Sequence, residues 1–449
     1  MKETKFKQTE IGKIPEDWKV VRLGDVSIKI GSGLTPRGGK KVYTDSGIAL
    51  IRSQNIYNEG FKKEGLVFID EEHSKDLDNV VVEEGDVLLN ITGDSVARCC
   101  IVPTEILPAR VNQHVSIIRP NPDILDPCFL RYYLITKRMQ KYMLSLADSG
   151  GTRKALTKGM IEDFIVPKPD LNEQKAIAKI LSSLDDKIEL NQRMNKTLEA
   201  IAQAIFKRWF IDFEFPNEEG KPYKSSGGEM VYNEKLGKEI PKGWEVKPLD
   251  KIAHFLNGLA LQKYPPENEE DYLPVIKIRE LRQGITESSD KASPNIPKEY
   301  IVHDGDVLFS WSGSLEVKIW CGGKGALNQH LFKVTSDEYP KWFYYFWIKK
   351  HLPFFRRIAE DKATTMGHIK RQHLSESLVI IPERSIMEKG NTLMNPLFEN
   401  YITNSIENRN LAKIRDTLLP KLMSGEIRVK VDEVRNDTGD KKDEERGEG

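Results

Sequence analysis

Arg, Lys, Ser, Thr, Asn and Gln gathered on short loops are the side chains of this sequence best suited to chemistry, and that chemistry is recognition. Arg, Asn and Gln can meet base edges through paired hydrogen bonds, while Lys and Arg hold phosphates. In the first half, Arg52, Ser53, Gln54 and Asn55 follow an apolar run, and Thr92 and Ser95 flank Gly93-Asp94. The loop Ser149-Gly150-Gly151-Thr152-Arg153-Lys154 joins glycines to two cations. In the second half Lys277, Arg279 and Arg282 stand comparably, Ser312 and Ser314 flank Gly313, and Thr364, Thr365 and His368 precede Lys370 and Arg371. Lys40 and Lys41, beside Gly38-Gly39, suit phosphate clamping. Each set has a plainer competitor, a turn or a solvated lysine run.

Catalysis leaves no comparable mark. There is no G-x-x-x-x-G-K-[ST] phosphate loop and no Asn/Asp-Pro-Pro-aromatic run. Gly31-Ser32-Gly33 is a lone glycine pair that suits a turn, and Asp170 fits a helix cap better than a nuclease carboxylate. Cys99, Cys100, Cys128 and Cys321 show neither C-x-x-C spacing nor a nearby histidine cluster. No metal site is expected, and the thiols are expected reduced, in a cytoplasmic protein. No apolar run approaches the roughly 20 residues of a membrane helix, and the first residues lack a signal-peptide pattern.

Lys and Arg total 68, balanced by 68 Asp and Glu, so net charge does not advertise a polyanion partner. Part of the balance is local. Residues 431–449 hold eight acids against four bases, which leaves 8 − 4 = 4 net positive charges on the rest. The segment 427–449 is expected to be a charged, disordered tail.

An internal repeat organises the 449 residues, which are too many for one core. Ile14-Pro15 and Trp18 recur as Ile240-Pro241 and Trp244; Gly85-Asp86-Val87 as Gly305-Asp306-Val307; Asn112-Gln113-His114 as Asn328-Gln329-His330. The aromatic stretches 129–137 and 342–350, then the strand-proline segments 164–169 and 378–383, follow in the same order. Asn-Gln-His, present in both halves, suits a shared scaffold role. Trp18, Trp244 and the aromatics 342–347 suit core packing. Short β-rich runs such as 48–52, 87–92 and 114–120, separated by Gly, Asp and Asn, predict a strand-rich module that ends in one long helix.

Between Leu171 and Asp212 there is neither Pro nor Gly. Leu181, Leu184, Ile188, Asn191, Asn195 and Leu198 keep the alternating four-three spacing of a heptad seam. Asp170 and Glu173 resemble a capping box. The second copy carries Leu397, Tyr401, Asn404, Asn408, Leu411, Ile414 and Leu418, with its asparagines 213 residues after Asn191 and Asn195. A seam asparagine fixes register at some cost. The expectation is an antiparallel coiled coil; the plainer alternative packs each helix on its own module. About 36–40 residues make a rod of roughly 55–60 Å, longer than one turn of B-DNA at about 34–36 Å.

With these segments and IVPKPDLNEQKAIAKILSSLDDKIELN, the chain resembles the specificity subunits of type I restriction-modification systems from about Gln8 to Glu426. The run from Pro167 to Gln174, ending in Glu-Gln before a helix, carries the resemblance most specifically. The second copy departs from it: IIPERSIMEKGN lacks Glu-Gln and puts Gly390 in the expected first turns.

The resemblance implies an α+β fold. Two similar strand-rich target recognition domains (1–170, and 214–383 with its linker) are separated by two long antiparallel coiled-coil helices (171–213 and 384–426) in pseudo-twofold array. It implies a non-catalytic subunit that reads a bipartite site in double-stranded DNA. Two modification subunits would use S-adenosylmethionine to methylate adenine, which requires base flipping, and two restriction subunits would use ATP and Mg²⁺. The alternative from another class is a coiled-coil scaffold that joins proteins without reading DNA.

Overall fold

Strand Val87–Asn90 is buried along its whole length because its two faces meet different cores. Val87 and Leu89 pack with Ile14, Trp18 and Phe129, while Leu88 packs with Leu50, Val111 and Ile117. A strand covered on both sides reads as a continuous apolar run. The computed structural model describes residues 4–148, 154–361 and 367–429. Thr152, Arg153, Thr364, Thr365 and the chain from 430 lie outside the described residues.

The chain forms two units, residues 1–186 with 411–449, and residues 187–410. In the first, one antiparallel sheet has the order Cys99–Ile101, Val87–Asn90, Val115–Pro120, Ser27–Ser32. The other has the order Val67–Ile69, Ile48–Ile51, Ala109–Val111, Val81–Val82, and its central pair is parallel.

The second unit repeats both orders. Its antiparallel sheet runs Val317–Ile319, Val307–Ser310, Leu331–Thr335, His254–Asn257. The other runs Lys291–Ala292, Leu273–Ile276, Gly325–Leu327, Ile301–Val302, again with a parallel central pair. The two-core alternation recurs as well: Val307 and Phe309 face one core, Leu308 the other. The repeated Gly-Asp-Val is structural. Asp86 takes the Glu83 N–H (2.7 Å) and pairs with Arg119, and Asp306 takes the His303 N–H (2.8 Å) and pairs with Lys333.

Each module ends in an antiparallel pair, Lys19–Arg22 with Ile165–Lys168 and Glu245–Pro248 with Leu378–Ile381. A long helix then begins, Leu171–Phe206 or Arg384–Met423. Asp170 caps the first through the N–H groups of Asn172 (2.9 Å) and Glu173 (3.1 Å). Glu173 does not complete a capping box. Its buried carboxylate accepts from Trp18 Nε1 (3.0 Å) and Arg428 Nε (2.8 Å). Gln174 is also used, accepting from Asp126 N at 2.8 Å and donating to Ile124 O and Pro169 O.

Gly390 does not delay the second helix, which starts at Arg384. A Cβ there would lie 3.2–3.3 Å from the rings of Trp342 and Phe210, so glycine lets the aromatic core rest on the helix backbone. That core is built on Lys341–Asp361, where Trp342 to Trp347 are all buried.

Asparagines seal the middle of the helix pair with helix-to-helix hydrogen bonds. Asn191 Nδ2 donates to Asn408 Oδ1 (3.0 Å) and Glu407 Oε2 (2.7 Å), and Asn195 Nδ2 donates to Tyr401 O (3.1 Å) and Ser405 Oγ (2.9 Å). Numbers rise along one helix as they fall along the other, so the contact is antiparallel. The flanks join module cores: Leu181 with Leu419, Leu422 and Met423 in the first unit, Ala202 and Phe206 with Met394 and Phe398 in the second. Leu184, Ile188, Leu198, Leu397, Tyr401, Leu411 and Leu418 are half-buried. Ile414, expected in the seam, is exposed, because the helix end there turns Leu419 and Leu422 onto the first module.

Candidate nucleic-acid interface

The Asn-Gln-His triplets stand where the central parallel strands end, and both make the same turn. Asn112 N donates to Ile51 O (3.0 Å), which fastens the triplet beside Arg52; Asn328 N donates to Ile276 O (3.2 Å), beside Lys277. Asn112 Oδ1 accepts from His114 N (3.1 Å) and Asn328 Oδ1 from His330 N (3.2 Å), the local turn that asparagine favours. The imidazoles then reach the post-strand turns: His114 Nδ1 lies 2.6 Å from Thr92 Oγ1, His330 Nδ1 3.0 Å from Ser312 Oγ. A glycine passes against each triplet. A Cβ on Gly33 would sit 1.8 Å from Val111 O, and one on Gly258 2.3 Å from Asn328 O. No side chain fits either place.

Backbone bonds extend the same cluster. Ile91 N donates to His114 O (3.0 Å), Leu156 N to Ile91 O (2.9 Å) and Gly93 N to Lys154 O (3.2 Å). Trp311 N donates to His330 O (3.4 Å), Ile369 N to Trp311 O (3.0 Å) and Gly313 N to Gly367 O (2.8 Å). Arg52, Thr92 and Lys154 are thereby gathered around one triplet, Lys277, Ser312 and His368 around the other.

Their side chains differ in freedom. Arg52 donates to Gly65 O and lies 5.4 Å from the Tyr43 ring. Lys277 pairs with Asp290, Arg279 with buried Glu280, Arg282 with Glu316 and Lys154 with Asp148. Ser53 is half-buried, Gln54 is exposed and donates to Gly65 O, and Ser95 and Ser314 sit in their turns. Two expected readers are scaffold. Asn55 is fully buried, its amide donating to Lys62 O and Glu64 O while its oxygen takes the Arg52 N–H. Ser312 is buried beneath its histidine. Lys40 and Lys41 are exposed in the turn Gly39–Val42, away from the triplet's hydrogen bonds. Lys370 and Arg371 open the helix Arg371–Glu376, with Arg371 Nη2 on Phe255 O (3.2 Å).

Residues 15–200 and 241–415 match the family described as "Type I restriction modification DNA specificity domain". The chain belongs to this family of specificity subunits. It is 32% identical over 437 residues to the type I restriction enzyme MjaIX specificity subunit of Methanocaldococcus jannaschii, covering 95% of this chain and 97% of that one. It is 26% identical over 470 residues to the HindI specificity subunit of Haemophilus influenzae, covering 92% and 100%. The crystal structure of the S subunit from M. genitalium shares the fold, with a TM-score of 0.57 at 17% identity over 93% of this chain and 98% of that one. Recognition of DNA sequence is accordingly the role of this specificity subunit. Among its described residues no helix is long and apolar enough to cross a membrane, and no cluster of His, Cys, Asp or Glu is arranged to hold a metal ion.

The first unit of the specificity subunit ties its module to both long helices through Asp185. Arg131 Nη1 (2.9 Å), Tyr132 Oη (2.7 Å) and Arg415 Nη1 (2.8 Å) all donate to its carboxylate. Burial alone would raise the Asp185 pKa, but the Arg131 charge and the donors from Arg415, Tyr132 and Arg131 outweigh it and hold the carboxyl below its ordinary 3.8. A second clasp closes on Arg428, which bonds Glu173 and Asp17 and lies 6.0 Å from the Trp18 ring. Residues 427–429 therefore belong to the first unit rather than to the tail. The sequence signal for both Glu173 and Gln174 was the Glu-Gln pair itself; nothing near Arg428 or Asp185 announced theirs.

Proposed function

We propose that each module reads one half of a bipartite, asymmetric duplex site, and that the chain itself performs no catalysis. One observation carries this reading: two copies of a strand framework hold the same Asn-Gln-His triplet while the side chains around it differ, Arg52 against Lys277, Thr92 against Ser312 and Ala155 against His368. Two readers built on one plan suit two different half-sites. The candidates for phosphate or base contact are the exposed Gln54, Lys154, Arg279, Arg282, Lys370, Arg371, Lys40 and Lys41 and the half-buried Arg52 and Lys277, with Ser53, Thr92, Ser95, Ser314 and His368 completing the turns. The antiparallel helices set the spacer between half-sites, a reading supported by the register-fixing asparagines at their centre. The same helices dock two modification subunits. S-adenosylmethionine serves adenine methylation there, and ATP and Mg²⁺ serve two further restriction subunits, all in the cytoplasm.

Methylation mapping of the host genome tests the reading directly, since it yields the motif and its gap. A split motif that disappears when this gene is deleted is the expected result. A continuous motif, or a split one indifferent to the deletion, would overturn it.

A further inference from the structure

The two triplets are identical although the proposed half-sites differ, so any contact they make to DNA is to something both half-sites share. Most of their polar atoms are already occupied within the protein. Asn112 and Asn328 spend their side-chain oxygens on the histidine N–H groups, and both histidines spend Nδ1 on a hydroxyl. Gln113 Oε1 accepts from Thr35 Oγ1, which fixes the amide so that its Nε2 faces His114 Nε2 at 3.0 Å. The amide donates there, the imidazole proton stands on Nδ1, and Nδ1–H donates to Thr92. Gln329 faces His330 Nε2 in the same sense at 3.5 Å, although Ala260 stands where the first unit has Thr35.

One group is left over in each triplet. A primary amide has two N–H bonds, and the second on Gln113, like that on Gln329, has no partner among the described residues. Gln113 is exposed and Gln329 half-buried, each beside the cation that ends the neighbouring parallel strand. The feature common to every half-site is the phosphodiester backbone, an acceptor that an oriented amide N–H can meet without reading sequence.

We infer that Gln113 and Gln329 are a matched pair of base-independent contacts to DNA phosphate, held in pose by His114 and His330. The histidines are positioning residues, themselves fixed by Thr92 and Ser312. This rests on the DNA-reading role proposed above and adds to it a grip that carries no sequence information.

The test uses the complex with its modification subunits, binding a duplex that carries the mapped site and a random duplex of equal length. Gln113→Ala or Gln329→Ala is expected to weaken both by a similar factor, about tenfold to a hundredfold for a hydrogen bond to a charged acceptor. The ratio between the duplexes stays constant. The salt dependence also stays constant, because a neutral amide releases no counterion. His114→Ala reproduces the uniform loss through its glutamine, and adding Gln113→Ala to it brings little more. An unchanged affinity for both duplexes overturns the inference, as does a loss confined to the mapped site, which would make the glutamines base readers. Melting temperature separates these results from misfolding, and the His114→Asn variant, which keeps a polar side chain at the turn, serves if alanine does not fold. If the unaltered complex fails to prefer the mapped duplex, the DNA-reading role itself fails, whatever the glutamines do.

Discussion

Asn404 Nδ2 donates to Asn195 Oδ1 at 3.1 Å. Adding 213 to Asn191 and subtracting it from Asn408 gives Asn404 and Asn195, so this bond is the image of the one joining Asn191 to Asn408. The sequence repeat has become a local dyad in the middle of the helix pair, made of polar groups that must find one another when buried.

Removing one member of this set strands its partner. Asn195→Ala leaves Asn404 without its acceptor, and the cost is about 1–3 kcal/mol. A lower midpoint in urea unfolding is the measurement; a wild-type midpoint would show that the pair contributes no register energy.

Asp185 links pH to the stability of the first unit. Its folded pKa lies below 3.8, so its stabilising contribution is complete above the unfolded value and is lost as pH falls through the folded one. Asp185→Asn should therefore flatten the acid limb of stability below about pH 4. Arg415→Ala, which takes one of three donors from a half-buried carboxylate, should cost about 1–3 kcal/mol at neutral pH. Unfolding curves from pH 3 to pH 7 check both.

Gly33→Ala places a methyl inside a strand carbonyl, since the Cβ would lie 1.8 Å from Val111 O. The expected penalty exceeds the usual overpacking cost of about 1–3 kcal/mol. Bisulfite-free methylome sequencing of the variant should show relaxed choice in one half-site while the other stays intact.

Arg52 and Lys277 end equivalent strands but differ in company. Lys277 is paired with Asp290 within its own unit, whereas Arg52 meets a carbonyl and a ring. Arg52→Ala should lower the slope of log affinity against log salt by about one, and Lys277→Ala by less. Equal slopes for both variants would contradict this difference.

Burial pushes the Cys99 and Cys100 thiols up to about 12. Neither should react with maleimide at pH 8 until the chain is unfolded, which peptide mass spectrometry can follow.

The repeat was legible because order, turn residues and aromatic runs survive insertion, so the duplicated modules and long helices follow from sequence. The seam was only half legible: spacing alone does not tell Ile414, which faces solvent, from Leu419, which meets the module. Site residues were harder. Asn55 and Gln54 look equivalent on paper, and only the course of the chain through Lys62 and Glu64 buries one and exposes the other. Glu173 showed the opposite problem, since a cap explained it locally while its true partners, Trp18 and Arg428, are 155 and 255 residues away.

The shared sheet order of the two units gives the molecule a built-in control. Differences in selectivity or salt response between the halves are expected to originate largely in the side chains that decorate matching strand ends, because the sheet order beneath them is common. Exchanging decorations between halves, with the strands left alone, would move a preference from one end of the target to the other.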